Sequence, residues 1–240
     1  MNTVYRFESG VCSEMFEVSD KDLVEWFKFV VESLHRVRYV SSSHVREWNE
    51  CAGVFRDLIN FFTSKLLNQV QTLNLPPVPP LEDAEIFYAE EIAAAEAECV
   101  EKYSDAYSVY TLVDVVRACR LMTTEIVLQK LMVGHICKNR YQPQEVYQSS
   151  TYKFIVEKVC PKLVLPDHIK LTPPALIAVS AAADYMVAEL LEPVWQRSSL
   201  FTHLRSFILH DKALVPMFAG CKLKLRTPDS TFDWRFYDTI

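Results

Sequence analysis

Glycine is scarce in this chain: 4 residues in 240, against 12 prolines. A β-rich or doubly wound protein spends glycine on tight turns and phosphate loops, so its shortage points to helices. No C-x-x-C pair occurs among the 7 cysteines, Cys12, Cys51, Cys99, Cys119, Cys137, Cys160 and Cys221. An odd count without paired spacing excludes a disulfide scaffold and predicts free, buried thiols in a reducing compartment. No run of 18 apolar residues is present, so no membrane span is expected. MNTVYRFESG carries no basic stretch followed by an apolar core, so no signal peptide is expected and the protein reads as intracellular. Motifs that carry chemistry are also missing. G-x-S-x-G, H-E-x-x-H, the P-loop and G-x-G-x-x-G do not occur, and His135 with Cys137 has no second pair at zinc spacing. No enzyme is expected, and no catalytic residue, metal site or cofactor is assigned.

What is present is ordinary globular composition, 50% hydrophobic and 23% charged, enough for one large domain or two small ones. The formal net charge of -6 argues on its face against a nucleic-acid partner. The charge is unevenly spread, however. Residues 75–110 hold 1 basic and 9 acidic residues, net -8, so the remainder of the chain is net +2. Binding to DNA is not excluded; it would be weak, salt-sensitive and dependent on a more basic partner.

Helix signals recur in order. Ser19 and Asp22 stand at capping-box spacing before an apolar stripe of Leu23, Phe27, Val30, Val31 and Leu34, predicting a short helix over 19–35. A basic connector follows, with Arg36 and Arg38. Ser41 or Ser42 can cap a long helix whose stripe runs Val45, Trp48, Ala52, Phe55, Ile59, Phe62, Leu66 and Val70. NLPPVPPLED (74–83) breaks it, and 82–103 reads as a separate acidic, alanine-rich helix. Thr111 with Asp114 caps another helix, which bends near Thr123-Thr124. A polar stretch, 139–150, reads as a linker. Beyond it come a short helix over 151–160, a loop, and a long helix capped by Thr172 with Pro173 at its first position and stopped by Pro193. A short helix over 200–209 and an alternating strand, CKLKLR, complete the chain. Short helix, loop, long helix, loop, short helix therefore occurs twice.

That pattern resembles two consecutive histone folds, and the resemblance extends to residues. VESLHRVRYVSS (31–42) is similar to the end of the first helix of core histone two-B, with His35, Val40, Ser41 and Ser42 in corresponding places. RACRLMTTE (117–125) is similar to that family's Arg-Leu-Leu-Leu-Pro-Gly-Glu, with Thr123-Thr124 replacing the Pro-Gly. In the second half, Asp184-Tyr185 followed by AELLE (188–192) is similar to core histone two-A's Glu-Tyr and Ala-Glu-Ile-Leu-Glu. HDKAL (210–214) and PMFAG (216–220) are similar to its Asn-Asp-Glu-Glu-Leu and Leu-Leu-Gly-Gly. Fused pairs in this order look like the histone doublets of giant DNA viruses.

The resemblance implies an all-α chain of two histone folds joined in an intramolecular handshake. Its first fold covers 1–145, with an acidic insertion at about 75–110, and its second covers 146–240 with a C-terminal extension. It implies double-stranded DNA as a non-specific partner, a three/four-type histone doublet or pair as a protein partner, and a nucleosome-like particle in a nucleus, viral factory or virion. The implied DNA-binding residues are Arg36, Arg38, Ser41, Ser42, Arg46, Lys170, Thr172, Arg197 and Arg205, on paired loops and helix starts. Asp184, Glu189, Glu192 and Asp211 are implied as an acidic patch for arginine anchors of partner proteins, in which Lys212 and Ala213 replace two of the family's glutamates. A competing expectation is a non-nucleosomal interaction module. VEKVCPKL (156–163) is similar to the short first helix in the doublet of Son-of-sevenless exchange factors, where such a module serves membrane-lipid and intramolecular contacts, and transcription regulators or histone chaperones also use such folds without wrapping DNA.

Overall fold

In the computed structural model, residues 15–34, 40, 42–72, 90–142, 149–195, 208, 211–219, 221–224 and 233–235 are described. The chain is mostly helical, as its glycine shortage predicts. Helix α1 spans Asp20–Ser33 and opens as expected: the Asp22 amide donates to Ser19 Oγ at 3.1 Å, and Ser19 Oγ donates to the Asp22 carboxylate at 2.9 Å. Together with the Lys162 ammonium at 3.1 Å, these bonds hold the Asp22 carboxyl below its ordinary range.

Helix α2, Ser42–Thr72, has 31 residues. At 1.5 Å per residue it is about 46 Å long. Its predicted stripe lies in the core: Trp48, Ala52, Phe55, Ile59, Phe62, Leu66 and Val70 are buried, and Val45 at its start is half-buried against it. Helix α3, Glu90–Tyr103, lies in the acidic insertion; the first part of its predicted span, 82–89, falls outside the described residues. Strand β1, Ser108–Tyr110, leads into α4, Leu112–Leu121, where the Thr111 amide and hydroxyl both donate to Asp114 at 2.8 Å. The expected bend at Thr123-Thr124 is a break, after which α5 runs Ile126–Lys138.

The second half begins with α6, Ser150–Phe154, prolonged by a wider turn over Ile155–Val159 and a tighter one over Cys160–Lys162. Strand β2 is Ile169–Leu171, and α7 is Pro173–Trp195. Pro193 does not stop α7, which continues two residues beyond it. A proline removes only one amide from the ladder, and near a helix end little remains to be lost. The predicted helix over 200–209 lies outside the described residues except for Ile208, which is helical and buried. A short helix, α8, covers Leu214–Phe218. The anticipated strand in CKLKLR is β3, Lys222–Lys224, paired antiparallel with β4, Asp233–Arg235.

Helix α7 is buried nearly all round, with Ala175, Ala178, Ala181, Ala182 and Ala183 giving neighbours a close approach. Its Pro173–Glu192 stretch is long and apolar enough to cross a membrane, but 89% of the most apolar window is buried inside the protein. Helices α1, α2, α4 and α5 of the first half all pack on it, so both halves share one core. The Glu17 amide also donates to the Lys162 carbonyl and the Val164 amide to the Met15 carbonyl, both at 2.8 Å. These bonds strap the residues before α1 to the second half. Lys65 of α2 donates to the Pro216 and Met217 carbonyls of α8 at 2.5 and 3.3 Å, and burial lowers its pKa.

The parallel pair β1–β2 joins the halves elsewhere. Its register sets Ser108 against Ile169, Val109 against Lys170 and Tyr110 against Leu171. It is extended at both ends, Ser108 N–H to the His168 carbonyl at 2.9 Å and Thr172 N–H to the Tyr110 carbonyl at 3.0 Å. A parallel pair needs a long connection between its strands. Here α4, α5 and α6 supply it.

Candidate functional sites: the expected DNA contacts and an acidic cleft

Of the residues expected to meet DNA, Arg36, Arg38, Ser41, Arg197 and Arg205 lie outside the described residues. Ser42 and Arg46 are exposed in the first turns of α2, as a phosphate contact requires. The other two are engaged within the protein. Lys170 is only part-exposed at the centre of β2, its ammonium 4.5 Å from the ring centre of Tyr103 and 5.8 Å from that of Tyr107. Thr172 is fully buried. Its hydroxyl donates to Glu96 Oε1 at 2.8 Å and accepts from the Ala175 amide at 3.3 Å. This corrects the assignment of Thr172 as a DNA contact: it caps α7, and its hydroxyl is consumed by doing so.

The acidic patch divides in a similar way. Asp184 is not a surface residue. It is 0% exposed, and its two oxygens face Trp26 Nε1 at 2.7 Å and His135 Nε2 at 2.9 Å. Asn139 Nδ2 donates to the His135 carbonyl at 2.9 Å, closing a network that joins α1, α5 and α7. A carboxylate removed from water persists only when its oxygens are paired, and here an indole and an imidazole pair them. The expectation of a surface role for Asp184 fails because these two donors arrive from 158 and 49 residues away.

Glu189, Glu192 and Asp211 do converge. They line an open cleft of about 500 Å³ with Glu125, Val127, Leu128, Leu131, Lys212 and Ala213. Glu189 accepts a hydrogen bond from the Tyr185 hydroxyl. Burial and the charges of Glu189 and Glu192 raise the pKa of that phenol, so it stays a donor. Asp211 Oδ1 accepts from the Ala213 and Leu214 amides at 2.7 and 3.2 Å, fixing the turn into α8. Thr123 Oγ1 donates to the Ala213 carbonyl at 3.2 Å, which ties the α4–α5 break to the same turn. Beside the carboxylates, Ile126, Val127 and Leu131 are more than half exposed. Four carboxylates with an apolar wall suit a partner that combines a guanidinium or ammonium with aliphatic neighbours.

Glu125 is a member the sequence reading did not assign, although its signal was present at the end of RACRLMTTE. Glu96 was also missed, because burial within a run of alanine and glutamate is invisible to composition. Among the described residues no group of three His, Cys, Asp or Glu is placed to hold a metal. Cys99, Cys119, Cys137, Cys160 and Cys221 are free thiols, and burial pushes Cys119 up to about 12 and Cys160 to about 11. Such thiols are poor nucleophiles. Cys137 donates to the Val133 carbonyl at 2.8 Å.

No family model, no curated protein and no solved structure matches the chain.

Proposed function

We propose that the chain is a histone doublet, two-B-like then two-A-like, that compacts DNA with a three/four-type histone pair in a nucleosome-like particle. One observation carries the reading: the parallel pairing of β1 with β2. Strand β1 immediately precedes the third helix of the first short–long–short set, α4. Strand β2 joins the short and long helices of the second set. Second loop against first loop, in parallel, is the pairing that a handshake of two such sets requires. The packing of α2 on α7 supports the same arrangement.

On this reading the exposed start of α2, with Ser42 and Arg46, meets the phosphate backbone, and the four-carboxylate cleft receives an arginine-bearing partner. Binding is non-specific, set by phosphate contacts and duplex deformability. A second reading, an interaction module that does not wrap DNA, is favoured by the engagement of Lys170 and Thr172 with the acidic insertion. The discriminating experiment mixes the full chain at low salt with duplexes of unrelated sequence and, separately, with vesicles of acidic lipid. Equal affinity for all duplexes, falling steeply with salt, supports the doublet. Vesicle binding without any DNA binding overturns it.

A further inference from the structure

The acidic insertion meets the rest of the molecule at the β1–β2 pair. Helix α3 packs on α7 and β1. It buries Glu96, which is 5% exposed and whose Oε1 accepts from the Leu112 amide at 2.6 Å and the Thr172 hydroxyl at 2.8 Å. Leu112 is the first residue of α4, and Thr172 directly precedes α7. A single carboxylate oxygen therefore bridges the starts of two helices. The start of α4 attracts an anion because its first amide, Leu112 N–H, has no partner in the ladder and the peptide dipoles point the same way, whereas α7 opens with Pro173 and Pro174, which carry no amide, and offers the Thr172 hydroxyl instead.

The same helix and the turn after it also engage the nearby cation. Lys170 stands over the rings of Tyr103 and Tyr107, and Lys102 lies 5.1 Å from the Tyr103 ring centre. An ammonium over aromatic faces is stabilised by the ring quadrupoles and is less available to a phosphate. The Cys99 thiol approaches the Leu171 carbonyl at 4.0 Å, so three successive residues of the second half, Lys170, Leu171 and Thr172, are covered by one inserted segment. That segment, 75–110, carries a net charge of -8.

We propose that α3 is a built-in occupant of the β1–β2 end, its Glu96 carboxylate seated where a backbone phosphate would otherwise sit, so that DNA is met only by the surface carrying the start of α2. The inference rests on the DNA-binding reading above. In a handshake the two loop pairs lie at the two ends and each can meet a phosphate backbone. With the β1–β2 end filled from within, the exposed start of α2 is the surface left to meet DNA. The acidic insertion is thus part of the binding surface by exclusion, and the doublet leaves a shorter footprint than two open ends would.

The test places p-benzoylphenylalanine at Ser43 or at Ser108, both exposed, in the full-length chain. Each protein is irradiated with a linear duplex at low salt, and crosslinked DNA is measured. The expected result is crosslinking from position 43 and loss to background from position 108. Crosslinking from position 108 equal to or above that from 43 overturns the inference while leaving the DNA-binding reading intact. No crosslinking from either position overturns that reading, and the inference with it.

Discussion

At the scale of single residues, Asp184 separates a reading by resemblance from a reading by contact. Resemblance puts it on a surface that captures partners, whereas the fold uses both its oxygens in the core. The two roles have different energetic signatures. An exposed carboxylate changed to alanine shifts stability by about 0.5 kcal/mol or less. Removing a buried acceptor leaves the Trp26 indole and the His135 ring without their partner, at about 3–5 kcal/mol. We expect Asp184→Ala to fall in the second class and Trp26→Phe, which removes one donor, to cost about 1–3 kcal/mol. Chemical denaturation of the three proteins checks this, and a change in Asp184→Ala no larger than that of a surface variant would return the residue to the patch.

At the scale of elements, the contact between α3 and the two helix starts has a pH signature. Burial raises the Glu96 pKa above 4.5 against the opposing pull of the Leu112 amide and the Thr172 hydroxyl. The folded state therefore holds this proton more tightly than the unfolded chain. The stabilising contribution is complete below the unfolded value and is lost as pH rises through the folded one. Asp22 behaves oppositely: its lowered pKa stabilises above 3.8 and is lost as pH falls through the folded value. The two windows lie on either side of about pH 4, so they are separable. Glu96→Gln keeps an oxygen acceptor without the charge. It should remove the decline in stability from pH 4.5 toward neutrality and leave the acid limb unchanged, as followed by thermal unfolding across pH. A decline that persists in the variant would show that Glu96 does not carry it.

Elements also show what the sequence makes legible. The caps of α1 and α4 and the stripes of α1 and α2 are local patterns, and each forms where its residues predict. Glu189, Glu192 and Asp211 lie together because two short matches, AELLE and HDKAL, fall on elements that fold back on each other. What sequence could not supply is partnership at long range. Thr172 reads as an open helix start until Glu96, 76 residues earlier, is found on it. Lys170 reads as a loop cation until Tyr103 and Tyr107 are found against it. Pro193 reads as a stop because the cost of a proline depends on how much helix follows, which the residue itself does not reveal.

At the scale of the whole molecule, the shared core makes a claim about folding. Helix α7 takes most of its packing from α1, α2, α4 and α5 of the first half, and its alanines are buried beneath them. Residues 1–145 and 146–240 made separately should each lack cooperative thermal unfolding and recover helix content when mixed. Circular dichroism reads both states, and a cooperative transition in either fragment alone would show that the halves are independent domains.

The charge distribution belongs to this scale as well. A net -6 describes a chain in which residues 75–110 alone carry net -8, and the described helix of that segment, α3, packs on α7 and β1. The proposed DNA binding would therefore require a more basic partner to persist against salt. The central claim is accordingly tested by assembling the full chain with a three/four-type histone pair on DNA at moderate salt and digesting with a nuclease. A protected fragment of defined length, absent when either protein is omitted, is the predicted result. DNA digested without any protected fragment would contradict the doublet reading.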